Sequence, residues 1–153
     1  MSHEVNHHFD AVEAPLPPYA LVAYVPDYNL ETKTARAALP YQLEYSQAVH
    51  ASAVANTFVA SLFAKNYDVA FKLMEADRFH EPYRKELVPE LDQIRELGKK
   101  HGALATYLSG AGPTVMTVID NDNYGLFEQA VHAAGLKGKV VRLHPDVEGV
   151  KLI

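Results

Sequence analysis

Residues 19–25 (YALVAYV) are apolar throughout, of strand length, and rich in aromatic and β-branched side chains, which predicts a buried strand closed by Pro26. Residues 1–18 show no such run and are punctuated by Pro15, Pro17 and Pro18, so an irregular or extended lead-in is expected. After a turn through Asp27 and Asn29, residues 31–39 (ETKTARAAL) are compatible with a helix that Pro40 stops. The clearest helical pattern covers residues 46–65. There Ala51, Val54, Ala55, Phe58, Val59, Leu62 and Phe63 recur at three- and four-residue spacing, and that face is expected to be core.

A short helix follows from Asn66 or Tyr67 to Ala76, then a less regular segment, 77–88, then a helix over 89–101 with Pro89 near its first turn and Gly102 just past its end. Residues 103–108 and 114–119 read as strands. The short loop between them, 109–113, implies antiparallel neighbours. Helical spacing returns over 124–134, stopped by Gly135, and a last strand is expected at 139–143. Strand, helices, strand, strand, helix, strand is the order of an α+β ferredoxin-like sandwich: four antiparallel strands with helices on one face.

A chain of 153 residues has room for one domain with one sizeable core. Hydrophobic residues at 48% and charged residues at 22% are ordinary globular usage and argue against disorder. A net charge of -5 with no basic face argues against a nucleic-acid partner. The absence of cysteine removes disulfides, thiolate nucleophiles and zinc–thiolate sites together. No window approaches the roughly 18 uninterrupted apolar residues of a membrane span, and residues 1–11 do not read as a secretory signal, so the cytoplasm is the expected location.

Three segments carry candidate chemistry. In the loop Ser109-Gly110-Ala111-Gly112-Pro113 the glycines allow positive φ and close approach, leaving backbone N–H groups free as donors to a phosphate. The same five residues also suit an ordinary glycine-rich hairpin loop. The stretch Asp77-Arg78-Phe79-His80-Glu81-Pro82-Tyr83-Arg84 gathers acid, imidazole and guanidinium groups between two helices. In it Arg84 suits bidentate binding of a carboxylate or phosphate, and His80 suits substrate orientation or proton transfer. A surface ion pair between Glu81 and Arg84 is the plainer alternative. Thr32 and Arg36 lie one turn apart at the start of the first helix, placed to meet one polar ligand, although Thr32 also suits an N-cap. His3, His7 and His8 lie in the lead-in without a framework to order a metal, and no metal site is expected. No Ser-His-Asp order, HExxH helix or Walker-type loop is present, and none of these residues is expected to be catalytic by itself.

Residues 26–40 (PDYNLETKTARAALP), 77–89 (DRFHEPYRKELVP) and 108–116 (LSGAGPTVM), in that order, resemble the homoserine kinases. These are a branch of the small-molecule kinases named after galactokinase, homoserine kinase, mevalonate kinase and phosphomevalonate kinase. The glycine motif is shared across the wider family, whereas the HEPYR segment points to homoserine kinase. The resemblance covers residues 19–143. It implies that Arg36 and Arg84 bind the carboxylate of L-homoserine or a nearby phosphate, and that Thr32 and His80 line the same pocket. It also implies that Ser109, Gly110, Ala111 and Gly112 support the binding of ATP, with Mg²⁺ and ATP held mainly elsewhere.

The family also carries an amino-terminal half with a Pro-x-x-x-Gly-Leu-Gly-Ser-Ser phosphate loop, which these residues do not contain. The expectation is therefore a domain at 19–153, preceded by a lead-in at 1–18 from an ATP-binding half, without kinase activity on its own. Other readings are a sister kinase acting on another small alcohol, a free-standing amino-acid sensor of the same fold, and a truncated domain that self-associates through a former interface. A homodimer is compatible with the sequence.

Overall fold

The computed structural model describes residues 2–5, 8–146 and 148–150, with side chains for 11–146 and 148–150. Strand alternation decides where its core lies. Four strands, β3 (Ala20–Pro26), β4 (Ala103–Leu108), β5 (Val115–Ile119) and β6 (Gly138–Leu143), form one antiparallel sheet in the order β4-β5-β3-β6. Val22 on β3 stands opposite Thr117 on β5 and Arg142 on β6. Because side chains alternate across a strand, Ala20, Val22 and Tyr24 share a face with Val115 and Ile119. These meet Leu91 and Ile94 of α5 (Glu90–Lys100) and Phe127 and Val131 of α6 (Tyr124–Ala133) in the main core. Thr106 and Thr117, paired across β4 and β5 on this same face, satisfy each other through hydroxyls 3.3 Å apart.

The opposite face exposes Ala105 and Val118, and Phe71 of α3 (Tyr67–Met74) covers them. Tyr19 packs edge-on against Phe71 at 5.1 Å between ring centroids and closes that cluster. β3 lies between β5 and β6 although it precedes both in the chain, the ferredoxin-like arrangement. The fold class expected from the element order is the one observed; α5 and α6 cover one face, and α3 adds a partial layer on the other.

The element boundaries fall within a few residues of expectation, and the differences have local causes. β3 runs on through Pro26, which as the last residue pairs with Gly138. The lead-in is extended and then irregular: β1 (Ser2–Val5) pairs antiparallel with β2 (His8–Ala11), and residues 12–19 carry no regular structure. The first helix, α1 (Thr32–Ala37), is shorter than the pattern allowed and has no side-chain cap, so Thr32 does not serve as one. Within 77–88 the chain forms one turn of helix, α4 (Glu81–Arg84), followed by a 3₁₀ turn at Lys85–Leu87.

The largest departure concerns α2 (Tyr45–Phe63), which forms over the expected span but does not bury the expected face. Only Ala51 and Ser61 are buried; Val54, Phe58, Val59 and Leu62 are half-buried, and Ala55 and Phe63 are exposed. The helical period was legible, but α2 rests on α3 rather than on the sheet, so it lacks a second layer to cover its apolar stripe.

Candidate functional site

Asp77 builds the segment around itself. Its carboxylate accepts the N–H of Phe79 at 2.9 Å, of His80 at 3.0 Å and of Glu81 at 2.7 Å, satisfying donors that the start of α4 leaves without intrahelical partners. Burial by itself would push this carboxyl up; the three N–H groups and the nearby imidazole outweigh it and hold the group below the usual carboxylate value. His80 Nδ1 lies 3.6 Å from Asp77 Oδ2, so the same carboxylate that caps the turn also faces the exposed ring.

α4 is then pinned to the sheet. β4 is an edge strand, and its outward N–H and C=O groups have no neighbouring strand to pair with. Side chains take that place. Glu75 accepts the N–H of Thr106 at 2.6 Å, Glu81 accepts the N–H of Leu108 at 2.9 Å, and Arg95 donates to the Thr106 carbonyl through Nε at 3.1 Å and Nη2 at 2.9 Å. Arg95 Nη2 also meets Glu81 Oε1 at 2.6 Å. Two carboxylates and one guanidinium thus complete the ladder, and they lock α4 and α5 to the strand that leads into the glycine bend.

Arg84 makes the last connection. It is buried, and its Nε donates to the carbonyl of Ala35 in α1 at 3.1 Å while Nη1 donates to the carbonyl of Gly110 at 2.9 Å. Two of the five guanidinium N–H donors are used in this way, leaving the rest of the Nη edge for a ligand. The expected ion pair between Glu81 and Arg84 does not form: Glu81 pairs with Arg95, and Arg84 with backbone. The bend itself is held by Ser109 N to Thr114 O and Gly112 N to Ser109 O, each 2.9 Å. Gly112 has φ +82, and a Cβ there would meet Leu108, Val88 and Leu30 at 3.3 to 3.4 Å, so the bend packs against the core at this point. Gly110, φ +56, faces open space. The N–H groups of Gly110 and Ala111 have no acceptor among the described residues.

A pocket of about 250 Å³ lies between these parts, lined by Asp77, His80, Glu81, Arg84 and Gly110, with Met74, Tyr107 and Leu108 forming its apolar wall. Of the residues singled out from the sequence, His80, Arg84 and Gly110 share this pocket, and Ser109, Ala111 and Gly112 complete the bend beside it. Thr32 and Arg36 are exposed on α1 and do not line it, although Ala35, the neighbour of Arg36, is bound by Arg84. Glu75 and Arg95 were not singled out. The only sequence signal was a cation within the apolar stripe Leu91, Ile94 and Gly98 of α5, which marks a charge facing the protein. Among the described residues no group of three or more His, Cys, Asp or Glu side chains converges on a possible metal position; the side chains of His3, His7 and His8 lie outside them.

Fold and site together define an α+β domain of the ferredoxin-like kind with an arginine-centred pocket against a glycine bend. A family described as GHMP kinases C terminal matches residues 58–147, and the chain belongs to that family. It is 59% identical over 150 residues to the homoserine kinase of Lactobacillus acidophilus, covering 98% of this chain and 52% of that protein. It is 57% identical to the homoserine kinase of Limosilactobacillus fermentum, covering 96% of this chain and 51% of that protein. The crystal structure of homoserine kinase from Cytophaga hutchinsonii superposes with a TM-score of 0.77 at 27% identity, over 88% of this chain and 44% of that one. The crystal structure of L. major mevalonate kinase in complex with R-mevalonate, 14% identical with a TM-score of 0.72 over 92% of this chain and 47% of that one, shares the fold. The chain spans about half the length of the curated relatives it matches.

Proposed function

We propose that this chain is the carboxy-terminal half of a homoserine kinase, which moves the ATP γ-phosphate to the side-chain hydroxyl of L-homoserine and gives O-phospho-L-homoserine, a step of threonine biosynthesis in the cytoplasm. The observation that carries the reading is Arg84: one buried guanidinium holds α1 through Ala35, holds the glycine bend through Gly110, and still presents N–H donors to the pocket between them. A planar fork of this kind suits a substrate carboxylate, because two parallel hydrogen bonds fix both its position and its orientation. Thr32 and Arg36 stand exposed on α1, which Arg84 ties down through Ala35, outside the pocket itself. His80, which lines the same pocket, suits orientation of the substrate.

The fit to a nucleotide rests on the bend. Gly110 and Ala111 offer free N–H groups where no Cβ intrudes at Gly110, which suits a phosphate oxygen arriving from outside the chain. ATP with Mg²⁺ supplies the phosphoryl group and the positive charge that steadies its transfer. Residues 1–18 serve as the lead-in from the half that holds most of the nucleotide, and 19–153 as the domain that binds the acceptor. Alone, the chain does not phosphorylate homoserine. Joining the chain behind the amino-terminal part of the Lactobacillus acidophilus relative tests this. Homoserine-dependent ADP release by the chimera, absent from the chain alone, is the expected result; a folded chimera with no such turnover defeats the assignment.

A further inference from the structure

Tyr107 stands on β4 with the backbone tied on both sides of it: Glu75 accepts the Thr106 N–H at 2.6 Å and Glu81 the Leu108 N–H at 2.9 Å, while Tyr107 itself pairs with Met116 of β5. Strand alternation sends its ring to the α3 side, against the cluster of Phe71, Ala105 and Val118. Such a cluster gains nothing from a hydroxyl, and the oxygen of a buried tyrosine normally finds a hydrogen-bond partner. The Tyr107 hydroxyl has none among the described residues. Every buried side-chain nitrogen or oxygen among them does have a partner, so this oxygen opens onto solvent rather than being sealed in the core.

The solvent it meets is that of the site. Tyr107 lines the polar pocket together with Asp77, Arg84 and Gly110, and it also borders a cleft of about 400 Å³, lined mostly by carbon, that continues past Met74. The phenol thus marks the junction between the two. Burial pushes its pKa above the ordinary tyrosine value, so the group is a neutral hydroxyl at neutral pH. The substrate proposed above has three polar groups: its carboxylate suits the Arg84 fork, its ammonium suits a carboxylate such as Asp77 or Glu81, and its uncharged hydroxyl suits an uncharged partner. We propose that Tyr107 is a specificity-determining residue of this site, its phenol oxygen accepting the hydrogen bond of the substrate's hydroxyl, an inference that rests on the function proposed above. This bond leaves lone pairs of the substrate oxygen free to attack phosphorus, and the phenol takes no proton. A site that hydrogen-bonds a hydroxyl discriminates against the analogue that lacks it. Without the phenol, the carbon-lined cleft beyond would accept an apolar side chain instead.

Tyr107→Phe removes one oxygen and keeps the ring. The test places it in the chimera with the amino-terminal part of the Lactobacillus acidophilus relative, beside Tyr67→Phe, which deletes a phenol oxygen from the same apolar cluster but outside the pocket. The kcat/KM for homoserine is expected to fall by about tenfold with Tyr107→Phe and to stay unchanged with Tyr67→Phe. L-Norvaline carries a methyl group where homoserine has its hydroxyl. It is expected to inhibit the Tyr107→Phe chimera at least as well as the unaltered one, because it loses no bond when the phenol goes. A fall in kcat/KM smaller than about twofold, or inhibition by norvaline weakened as much as the use of homoserine, would overturn the inference. Either result in an active chimera leaves the kinase assignment standing. A folded chimera without homoserine-dependent ADP release defeats both.

Discussion

Glu81 and Arg95 meet at 2.6 Å across the edge of the sheet, with side chains only 12% and 16% exposed, and both also bind the backbone of β4. The pair holds the turn that carries His80 and Arg84 at a fixed height above the strand that enters the glycine bend. Removing Glu81 strips the Leu108 N–H of its acceptor and leaves Arg95 with only the longer carboxylate contacts, to Glu75 at 3.9 Å and Asp92 at 3.6 Å, which is costlier than losing a surface ion pair.

Glu81→Ala is therefore expected to lower stability by about 2 kcal/mol in urea unfolding, and Glu81→Gln by less, since an amide oxygen can still accept the Leu108 N–H. A loss below about 0.5 kcal/mol for Glu81→Ala would place the pair in the solvated class instead.

Arg84→Lys keeps the charge and loses the fork. One ammonium cannot reproduce the diverging bonds to Ala35 and Gly110, so stability should fall by about 2 kcal/mol. Amide exchange at residues 109–112 should accelerate relative to the rest of the sheet. In the chimera the KM for homoserine should rise by about tenfold or more, corresponding to about 1.4 kcal/mol of binding. Unchanged exchange at the bend would show that Arg84 does not hold it.

The two glycines of the bend should respond differently to alanine. Gly112→Ala forces a left-handed conformation and also presses a methyl against Leu108, Val88 and Leu30, for a cost of about 2 kcal/mol or more. Gly110→Ala meets open space and carries only the backbone cost of about 1 kcal/mol. Thermal melting of both variants gives the order directly, and a reversal would mean that the bend is not seated on the core as described.

Asp77 predicts an acid response with a definite sign. Its folded-state value is depressed below that of the unfolded chain, so its contribution is complete above the ordinary carboxyl value of about 3.9 and is lost as pH falls through the folded-state value. Asp77→Asn should reduce stability at neutral pH and flatten the loss below about pH 4, because asparagine has no charge to lose. Equal acid slopes for the two proteins would remove the assigned role.

The expected order of elements survived because it depends on local information. YALVAYV can bury both faces as a strand, Gly102 and Gly135 stop helices, and a five-residue loop leaves antiparallel pairing as the simplest way to join residues 103–108 to 114–119. The HEPYR and SGAG segments were likewise visible as clusters of functional groups. Their partners were not: the sequence offers Arg84 a carboxylate three residues away, yet the folded chain gives it two carbonyls 49 and 26 residues distant.

By itself the sequence determined an α+β domain, its strand and helix order, and the three segments in which chemistry concentrates, because periodicity, turn residues and residue type act over a few neighbours. Only the tertiary structure decided that β4 is an edge, that Glu75, Glu81 and Arg95 complete its ladder, and that the apolar stripe of α2 is left half-open. Those outcomes depend on which surfaces meet across long stretches of chain. A hydrogen-bond donor or an apolar face carries no local mark of the partner that will satisfy it.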